Sequence, residues 1–425
     1  MRLLLKNLRV NSEGKSFPAD LRVGRGRILD CSLGIAPRSG ELVLNLSGYL
    51  ALPGLINSHD HLEFNLFPRL GHPPYENFYQ WAREIYHPKE TPVREILQVP
   101  LVDRLWWGAY KNLISGVTTV VHHNVYRRRS FNRRFPIRVL KRYGWSHSLG
   151  HGNGIEKAFA KSRGRPYIIH AGEGIDLQSS EEIDALYRMG LLHENTVLVH
   201  GIAIQADKID LLSNANTSLV WCPASNIYLF DRTADIRRLQ GRIQLTLGTD
   251  STMSGSPTLL DELRAAYKAC LASPEELLKM VTSSAASVFQ LSDGRGTLRP
   301  GAPADLLLLR DDRREAAEIL LSACPKDIKL VLVNGVPRFA DQTFADMLRL
   351  GNPNVFVDKA PKWIYGDLNS LRNRVREAVG EKILSQNPIW NLFEEKELQP
   401  VDRTVVNQTL PSSRISLVAS DRIQK

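Results

Sequence analysis

The chain has 425 residues, of which 43% are hydrophobic and 24% are charged, and its formal net charge is +10. Single cores stop growing at about 250–300 residues, so this length predicts a large domain with at least one smaller unit. No apolar run is long enough to span a membrane, and MRLLLKNLRV becomes charged too early for a signal peptide. The four cysteines are scattered without a CxxC pair, which argues against a disulfide framework and predicts a cytoplasmic protein.

Short strand-like segments occur near both ends of the first 340 residues. Residues 1–50 contain LLLKNLRV, ADLRVG, GRILDC and ELVLNLSG, and residues 297–340 contain ADLLLLR and DIKLVLVNGVPRF. Glycine-punctuated strands of this kind are typical of small antiparallel sheets. Neither segment has enough apolar surface to fold alone. We therefore predict one discontinuous β-sandwich domain made of residues 1–50 and 297–345.

Residues 51–296 alternate short apolar strands with helical segments, which predicts βα units and a parallel sheet. The strand candidates are LALPGLI, VTTVVH, IRVLKRY, YIIH, TVLVH, TSLVW and IQLTLG. The helical candidates include LVDRLWWGAYKNLIS, LLDELRAAYKACL and EEIDALYRMG, the last preceded by Ser179 and Glu182 at capping-box spacing. The fold class is thus α/β, a distorted TIM (β/α) barrel. Seven strands are recognisable instead of eight, so between Tyr143 and Tyr167 either one strand is very short or the barrel is incomplete.

Residues 346–425 form the remaining part of the chain. The segment DLNSLRNRVREAVGEKILSQ predicts a charged, helical C-terminal extension. Residues 403–425 show no clear period, which is typical of a surface tail.

One stretch of the chain concentrates positive charge. It contains Arg127, Arg128, Arg129, Arg133, Arg134 and Arg138. Few aromatic residues surround it, and no nucleic-acid-binding motif accompanies it. We interpret it as a solvated loop, or a lid that attracts an anionic ligand, and not as a nucleic-acid site.

The strongest chemical signal is His59-Asp60-His61, directly after the strand LALPGLI. A strand points residues i and i+2 to the same face, so the two histidines can converge while Asp60 points away. Two converging imidazoles suit a borderline metal such as zinc. Taken alone, the pattern could equally be two unrelated polar residues in a loop.

Further candidates stand where other apolar strands stop. His170 ends YIIH, His200 ends TVLVH, and Asp250 follows IQLTLG. Catalytic groups of TIM barrels cluster at the carboxyl ends of the strands. The coincidence of these positions with the two histidines of the HxH pair predicts a metal site.

Several segments carry a resemblance to the amidohydrolase superfamily, in its deaminase and chlorohydrolase branch. They are PGLINSHDH (53–61), GVTTVVHHN (116–124), HAGE (170–173), LVHG (198–201), WCPASN (221–226), LGTDS (247–251), SSAASVFQL…GTLRPGAPADLLLL (283–309) and LVNGVP (332–337). The similarity spans about residues 1–340, and the order HxH…H…H…D is its specific element.

The resemblance implies a role for each matching position. One divalent metal, zinc or iron, would be held by His59, His61, His170 and Asp250. His200 would sit beside the metal and polarise the water or the developing oxyanion. Glu173 would shuttle protons, and its alternative role is a carboxylate at a helix N-terminus.

The chemistry of these residues is mutually consistent. A metal lowers the pKa of bound water to about 7; Asp250 is placed to accept a proton from that water, and Glu173 could deliver one to the substrate. Some superfamily members hold two metals bridged by a lysine at the fourth strand end. No lysine ends a predicted strand here, and Lys157 and Lys161 fall in a short predicted helix, so a single metal is expected.

Other features leave alternatives open. Of His122 and His123, one is a candidate for the pocket lining, as is His147. The aromatic insertion from Glu63 to Thr91 is long for a βα loop. It is either a lid that shapes the pocket or an arm packed against a partner subunit.

These patterns predict a metal-dependent hydrolase that acts on a non-peptide carbon–nitrogen bond, by hydrolytic deamination of a heterocyclic amine. The alternatives are hydrolysis of a cyclic amide, a urea-like bond or a carbon–halogen bond, and Glu173 favours deamination. A metal-free binding or regulatory relative is the alternative from another class, against which the intact ligand set argues. The expected partner is a small-molecule substrate, and a homo-oligomer stays open.

Overall fold

The computed structural model of the protein describes residues 1–151 and 154–394. Its elements up to β13 are β1 (Arg2–Ser12), β2 (Lys15–Gly24), β3 (Arg27–Ser32), β4 (Leu42–Asn45), β5 (Tyr49–Pro53), β6 (Leu55–Asp60), α1 (Phe78–Ile85), α2 (Val93–Gln98), α3 (Leu101–Leu113), β7 (Val117–His122), β8 (Arg138–Val139), β9 (Gly144–Trp145), α4 (Ile155–Ser162), β10 (Tyr167–Ala171), α5 (Leu177–Arg188), β11 (Thr196–His200), α6 (Ile209–Asn214), β12 (Ser218–Trp221), α7 (Pro223–Phe230) and β13 (Gln244–Leu247). The elements that follow are α8 (Leu259–Lys268), α9 (Pro274–Met280), α10 (Ser283–Val288), β14 (Leu306–Arg310), α11 (Ala316–Ser322), β15 (Leu330–Val333), β16 (Val336–Asp341), α12 (Gln342–Met347), β17 (Val355–Val357), β18 (Ala360–Ile364), α13 (Leu368–Val379), α14 (Glu381–Leu384) and β19 (Phe393–Glu394).

The β-rich part of the fold is one mixed sheet in the order β19-β17-β18-β16-β15-β14-β5-β1-β2-β3, with β4 beside β1. Strand β5 joins the N-terminal strands to those that follow residue 297: it runs parallel to β1, with Arg9 opposite Leu50, and antiparallel to β14, with Leu308 opposite Ala51. Leu5, Leu308 and their neighbours in these strands are fully buried in a common cluster. Residues 1–50 and 297–345 therefore contribute to the same sheet although they are far apart in sequence.

The region after residue 345 is helical only in part. Helix α13 forms within the predicted helical segment, but β17 and β18 make a hairpin that extends the large sheet. Val355, Val357 and Ile364 are buried, and Asp358 and Lys359 form the turn with positive φ. The prediction of a helical extension was wrong for residues 355–364, because an available sheet edge outweighs local propensity. The predicted tail, residues 403–425, lies outside the described residues.

The α/β part contains two parallel sheets, β6-β7-β8 and β9-β10-β11-β12-β13. These two sheets together contain eight parallel strands. The predicted strand 137–143 is reduced to the two-residue β8, and the two-residue β9 follows it before α4. Of the two alternatives for the gap, a very short strand is the observed one. Two residues are too few to show any hydrophobic period, so the sequence could not reveal β9.

The carboxyl end of β13 lies directly against the end of β6. The backbone N–H groups of Thr249 and Asp250 donate to the His59 carbonyl at 3.0 and 3.1 Å. A Cβ atom at Gly248 would lie 2.6 Å from the His59 Cβ, so only glycine permits this approach. The first and last parallel strands therefore present their ends at one place. Among the described helices, none is long and apolar enough to cross a membrane.

We predict that Gly54→Ala lowers the free energy of unfolding by about 1–3 kcal/mol, the usual cost of overpacking. Gly54 separates β5 from β6, donates its N–H to Asp305, and leaves no room for a Cβ, which would lie 2.3 Å from the Thr118 side chain. Denaturant unfolding measures the effect. The substitution should cost less in a Thr118→Gly background, and equal costs in both backgrounds would refute the steric explanation.

Candidate metal centre and pocket

The strand ends bring the predicted site residues together. His59 lies in β6 and His61 directly after it, His170 lies in β10, His200 ends β11, and Asp250 follows β13. All of these residues are buried, with at most 7% of their surface exposed. The convergence follows from the shared direction of parallel strands, whose carboxyl ends meet at one edge.

Possible ligand atoms lie close together in two groups that share His59, one with His61 and Asp250 and the other with His170 and His200. His59 Nε2 lies 3.2 Å from His170 Nε2 and 3.9 Å from Asp250 Oδ1, and His61 Nε2 lies 3.7 Å from Asp250 Oδ1. Tetrahedral ligands at about 2.1 Å from zinc stand about 3.4 Å apart. His200 forms a compact group with His59 and His170, so the geometry also places it within reach of an ion.

The proton positions on His170 follow from its hydrogen bonds. Burial, and then the neighbouring imidazoles, lower the pKa of His170 well below its usual value, so the ring is neutral and carries one proton. Its Nδ1 lies 2.8 Å from the carbonyl oxygen of His147, which can only accept. The proton is therefore on Nδ1, and Nε2 presents a lone pair to the site.

The same reasoning applies to His59 through His123. Burial likewise lowers the pKa of both rings well below the usual value. His123 Nε2 donates to the Ser146 carbonyl at 2.9 Å, so its Nδ1 is an acceptor for His59 Nδ1 at 3.3 Å. His59 Nε2 then also carries a lone pair and faces that of His170. Two bare lone pairs repel at 3.2 Å, whereas a cation between them binds both; the donor set therefore fits a metal ion.

Asp250 is held as a carboxylate. Its Oδ2 accepts from the hydroxyls of Ser225 and Ser254 at 2.9 and 2.8 Å, and its Oδ1 accepts from the Ser251 N–H at 2.7 Å. Burial alone would raise the pKa of Asp250, but His61, His200 and the bonds from Ser254 and Ser251 lower it below the usual value. The sequence alone does not reveal the two supporting serines, since nothing in their spacing marks them.

Glu173 has the opposite proton affinity. Burial, followed by the charges of Asp250 and Glu182, raises its pKa well above the usual value, which favours the protonated form. Its Oε1 lies 3.5 Å from His200 Nε2, and its buried Oε2 has no hydrogen-bond partner among the described residues. His200 Nδ1 lies 2.8 Å from the Asn226 side-chain oxygen, which leaves Nε2 as an acceptor facing the site.

A buried polar network around Asp60 and Lys111 supports the residues of the site. Asp60 points away from the pocket and accepts hydrogen bonds from Lys111 at 3.3 Å and Asn112 at 2.7 Å. Lys111 Nζ also donates to the Asp250 carbonyl and to the Thr249 hydroxyl, each at 2.9 Å. Lys111 belongs to α3, not to a strand end, so it orients the Asp250 backbone without entering the site.

The aromatic insertion is part of the pocket. Its backbone pairs with the loop that carries Glu173: the Phe78 N–H donates to the Glu173 carbonyl at 3.0 Å, and the Ile175 N–H donates to the Glu76 carbonyl at 2.7 Å. Aromatic side chains of the insertion, including Trp81, line a cavity of about 660 Å³ whose base is the histidine cluster. The structure thus places the insertion as a wall of the pocket.

Glu182 binds the loop that carries Glu173 and does not cap a helix. Helix α5 is capped by Asp176, whose side chain accepts from the Ser179 N–H at 2.9 Å. Glu182 Oε2 accepts from the Gly172 N–H at 2.7 Å, and Oε1 accepts from the hydroxyl of Tyr79 in the insertion at 3.1 Å. The capping box predicted from Ser179 and Glu182 was wrong, because the buried backbone N–H of Gly172 competes for the carboxylate.

Of the remaining residues whose roles the sequence left open, some line the cavity or contact the site and others do not. His147 lines the cavity, and His123 holds His59 from behind. His122 faces Glu63 at 3.5 Å, outside the residues that line the cavity. The arginines at 127–129 and 133–134 do not line it either, so the basic stretch is not the lid of this pocket.

The chain is similar to known amidohydrolases and deaminases. A family model described as the amidohydrolase family matches residues 151–338. The 5-methylthioadenosine/S-adenosylhomocysteine deaminase of Pyrococcus furiosus is 25% identical over 403 residues, covering 76% of this chain and 90% of that protein. The guanine deaminase of Escherichia coli is 27% identical over 133 residues, covering 30% of each chain.

Solved structures share the fold. An adenosine deaminase from Xanthomonas campestris with bound zinc gives a TM-score of 0.70 at 17% identity, covering 88% of this chain and 97% of that one. A mutant atrazine chlorohydrolase from Arthrobacter aurescens, complexed with zinc and atraton, gives 0.71 at 16% identity, covering 89% and 100%.

We predict that His123 sets the affinity of the site for a divalent cation. His123→Leu removes the acceptor for His59 Nδ1, and loss of such a supporting hydrogen bond typically weakens metal binding about 10–100-fold. His123→Asn, whose amide oxygen can replace the Nδ1 acceptor, should retain most of the affinity. Competition with a chromophoric chelator measures both. Equal zinc affinity in His123→Leu and the unsubstituted protein would contradict this role.

Proposed function

We propose that the chain is a metal-dependent hydrolase of the amidohydrolase superfamily and that it hydrolytically deaminates a heterocyclic amine. The observation that carries the proposal is the position of two buried carboxyls at one histidine cluster: Glu173 Oε1 lies 3.5 Å from His200 Nε2, and Asp250 Oδ1 lies 3.7 Å from His61 Nε2. Their surroundings raise the pKa of Glu173 and lower that of Asp250. Such a pair is what acid–base catalysis in one pocket requires. The deaminases among the relatives support the same reaction class.

The proposed cofactor is one zinc ion held by His59, His61, His170 and Asp250. Neutral imidazoles with a carboxylate form a donor set that zinc favours, and the structural neighbours named above contain zinc. When bound, such an ion supplies Lewis acidity that lowers the pKa of a coordinated water to about 7.

The protein's own residues would move the protons. Water adds to the carbon that bears the amino group, and Asp250 accepts the proton that the water loses. His200 Nε2 can accept the second hydrogen of that water and orient it. Glu173 donates its proton to the adjacent ring nitrogen. The carbon–nitrogen bond then breaks as the amino group takes the proton held by Asp250, while the remaining hydroxyl proton passes by way of His200 Nε2 to Glu173. The products are ammonia and the oxo heterocycle, and Glu173 is protonated again.

The proposal includes the arrangement of the chain. We take the two parallel sheets of residues 51–296 as one distorted (β/α) barrel, closed where Thr249 and Asp250 bond to His59. The mixed sheet of residues 1–50 and 297–345 would be its β-sandwich companion. The scattered cysteines fit a cytoplasmic setting, and the partner is a small-molecule substrate.

We expect about one divalent ion per chain in protein purified without chelators. Elemental analysis measures the ion and distinguishes zinc from iron. Removing it should abolish ammonia release, and zinc should restore it. His59→Ala should lose the ion, whereas His193→Ala, which changes an exposed histidine outside the cluster, should keep it. A His59→Ala protein that is folded and still fully loaded would overturn the ligand assignment.

We expect Glu173→Gln to lower kcat by about 10²–10⁴-fold while the protein keeps its metal. Glutamine preserves the size of the side chain and its ability to form hydrogen bonds, but it lacks the acidic proton that Glu173 would transfer. Glu262→Gln is the matched control, because this buried carboxyl also has a raised pKa, about 7, yet does not line the cavity. Loss of metal in Glu173→Gln would make Glu173 a ligand, and near-full turnover would remove the support for deamination.

A further inference from the structure

The cavity beyond the histidine cluster has an unusual composition for a site that handles polar heterocycles. Its apolar lining includes Phe67, Leu70, Trp81, Ile85, Val93 and Met253. The indole N–H of Trp81 is already bonded to the Leu70 carbonyl at 2.9 Å, so it is not offered to a ligand. Outside the catalytic cluster, the cavity therefore provides contact area and few hydrogen bonds.

Charged groups are nearly absent from this outer part. Apart from Glu173 and Asp250, the charged residue that lines the cavity is Arg83, whose side chain is exposed on α1. A single exposed arginine binds an anion weakly because solvent and salt screen it. The neighbouring Glu84 does not line the cavity and is bonded to His72 and Tyr75. The described lining thus offers a phosphate no buried cation, and its polar side chains outside the catalytic cluster are those of His147, His151, Tyr86 and Ser251.

The space is also larger than a bare ring needs. Cavities of about 300–1,000 Å³ normally enclose drug-sized ligands, and this one measures about 660 Å³. Phe64 stacks on His61, with centroids 5.7 Å apart, and Phe78 stacks on His170 at 6.4 Å. These two rings flank the cluster and fit a planar heterocycle, while Ile85, Tyr86 and Leu97 extend the apolar wall outward.

We propose that the substrate is an uncharged heteroaromatic amine that carries a sizeable apolar substituent, and that nucleotides are excluded. This inference rests on the proposed function for the reacting end of the ligand. The ring lies between Phe64 and Phe78 with its amino group at the histidine cluster. The substituent occupies the apolar outer cavity, where Leu97 is 38% exposed and Tyr86 is 70% exposed in the free protein.

The test uses the metal-loaded full chain and matched ligand series. N-alkyl derivatives of adenine, of cytosine and of a pterin are compared with their hydroxyalkyl and phosphoalkyl counterparts of equal length. Affinity should rise roughly fourfold for each added methylene, and the phosphorylated members should bind least. Isothermal titration with analogues that lack the amino group measures binding, and ammonia release measures turnover.

Two variants locate the substituent. Leu97→Lys should weaken binding of the longest alkyl analogue by about tenfold, because it removes apolar contact and introduces a charge. Leu177→Lys is the matched control, since Leu177 is 72% exposed and does not line the cavity. Equal effects of the two variants would overturn the placement.

The outcomes separate this inference from the proposed function. Alkyl-dependent binding without ammonia release would uphold the ligand class and refute deamination. Ammonia release that is as efficient for phosphoalkyl as for alkyl members would uphold deamination and refute the ligand class. Binding that does not increase with alkyl length in any of the three ring series would also refute the ligand class.

Discussion

Two imidazole lone pairs that face each other across 3.2 Å, on His59 and His170, are the constraint on which the rest of the site depends. Neither ring can relieve the repulsion by taking up a proton, because burial lowers both pKa values well below the usual range. Neither can turn its proton inward, because a carbonyl oxygen and His123 hold the Nδ1 side. The protein has thus fixed the protonation of its histidines before any ion binds, which reduces the reorganisation that binding requires.

The two carboxyls at this centre show how environment separates chemically similar groups. Asp250 accepts three hydrogen bonds and lies among histidines, so its ionised form is favoured. Glu173 is buried beside Asp250 with an unpartnered oxygen, so its neutral form is favoured. Backbone strain contributes to the placement, since His200 and Asp250 both have positive φ. The Lys111 network below the site supplies the hydrogen bonds that hold Asp250 in this conformation.

The reacting end and the recognising end of the pocket come from different parts of the chain. Parallel strand ends supply the histidines and Asp250, whereas the insertion between β6 and α3 supplies much of the apolar wall. Backbone pairing of the insertion with the Glu173 loop couples the two. Because loops tolerate change more readily than strand ends, a scaffold of this kind can keep its chemistry while its substrate varies.

The sequence by itself determined the α/β class, seven of the eight parallel strands, the division of the β-rich sheet between both chain ends, and the residues that converge. These features have local signals: apolar strands, HxH spacing, and polar residues where strands stop. Only the tertiary structure decided that β9 exists, that 355–364 pair as strands, and that His123, Ser225 and Lys111 support the site. It also decided that the insertion lines the pocket. The physical reason is that each of these depends on contacts between residues far apart in sequence, which no local period or spacing encodes.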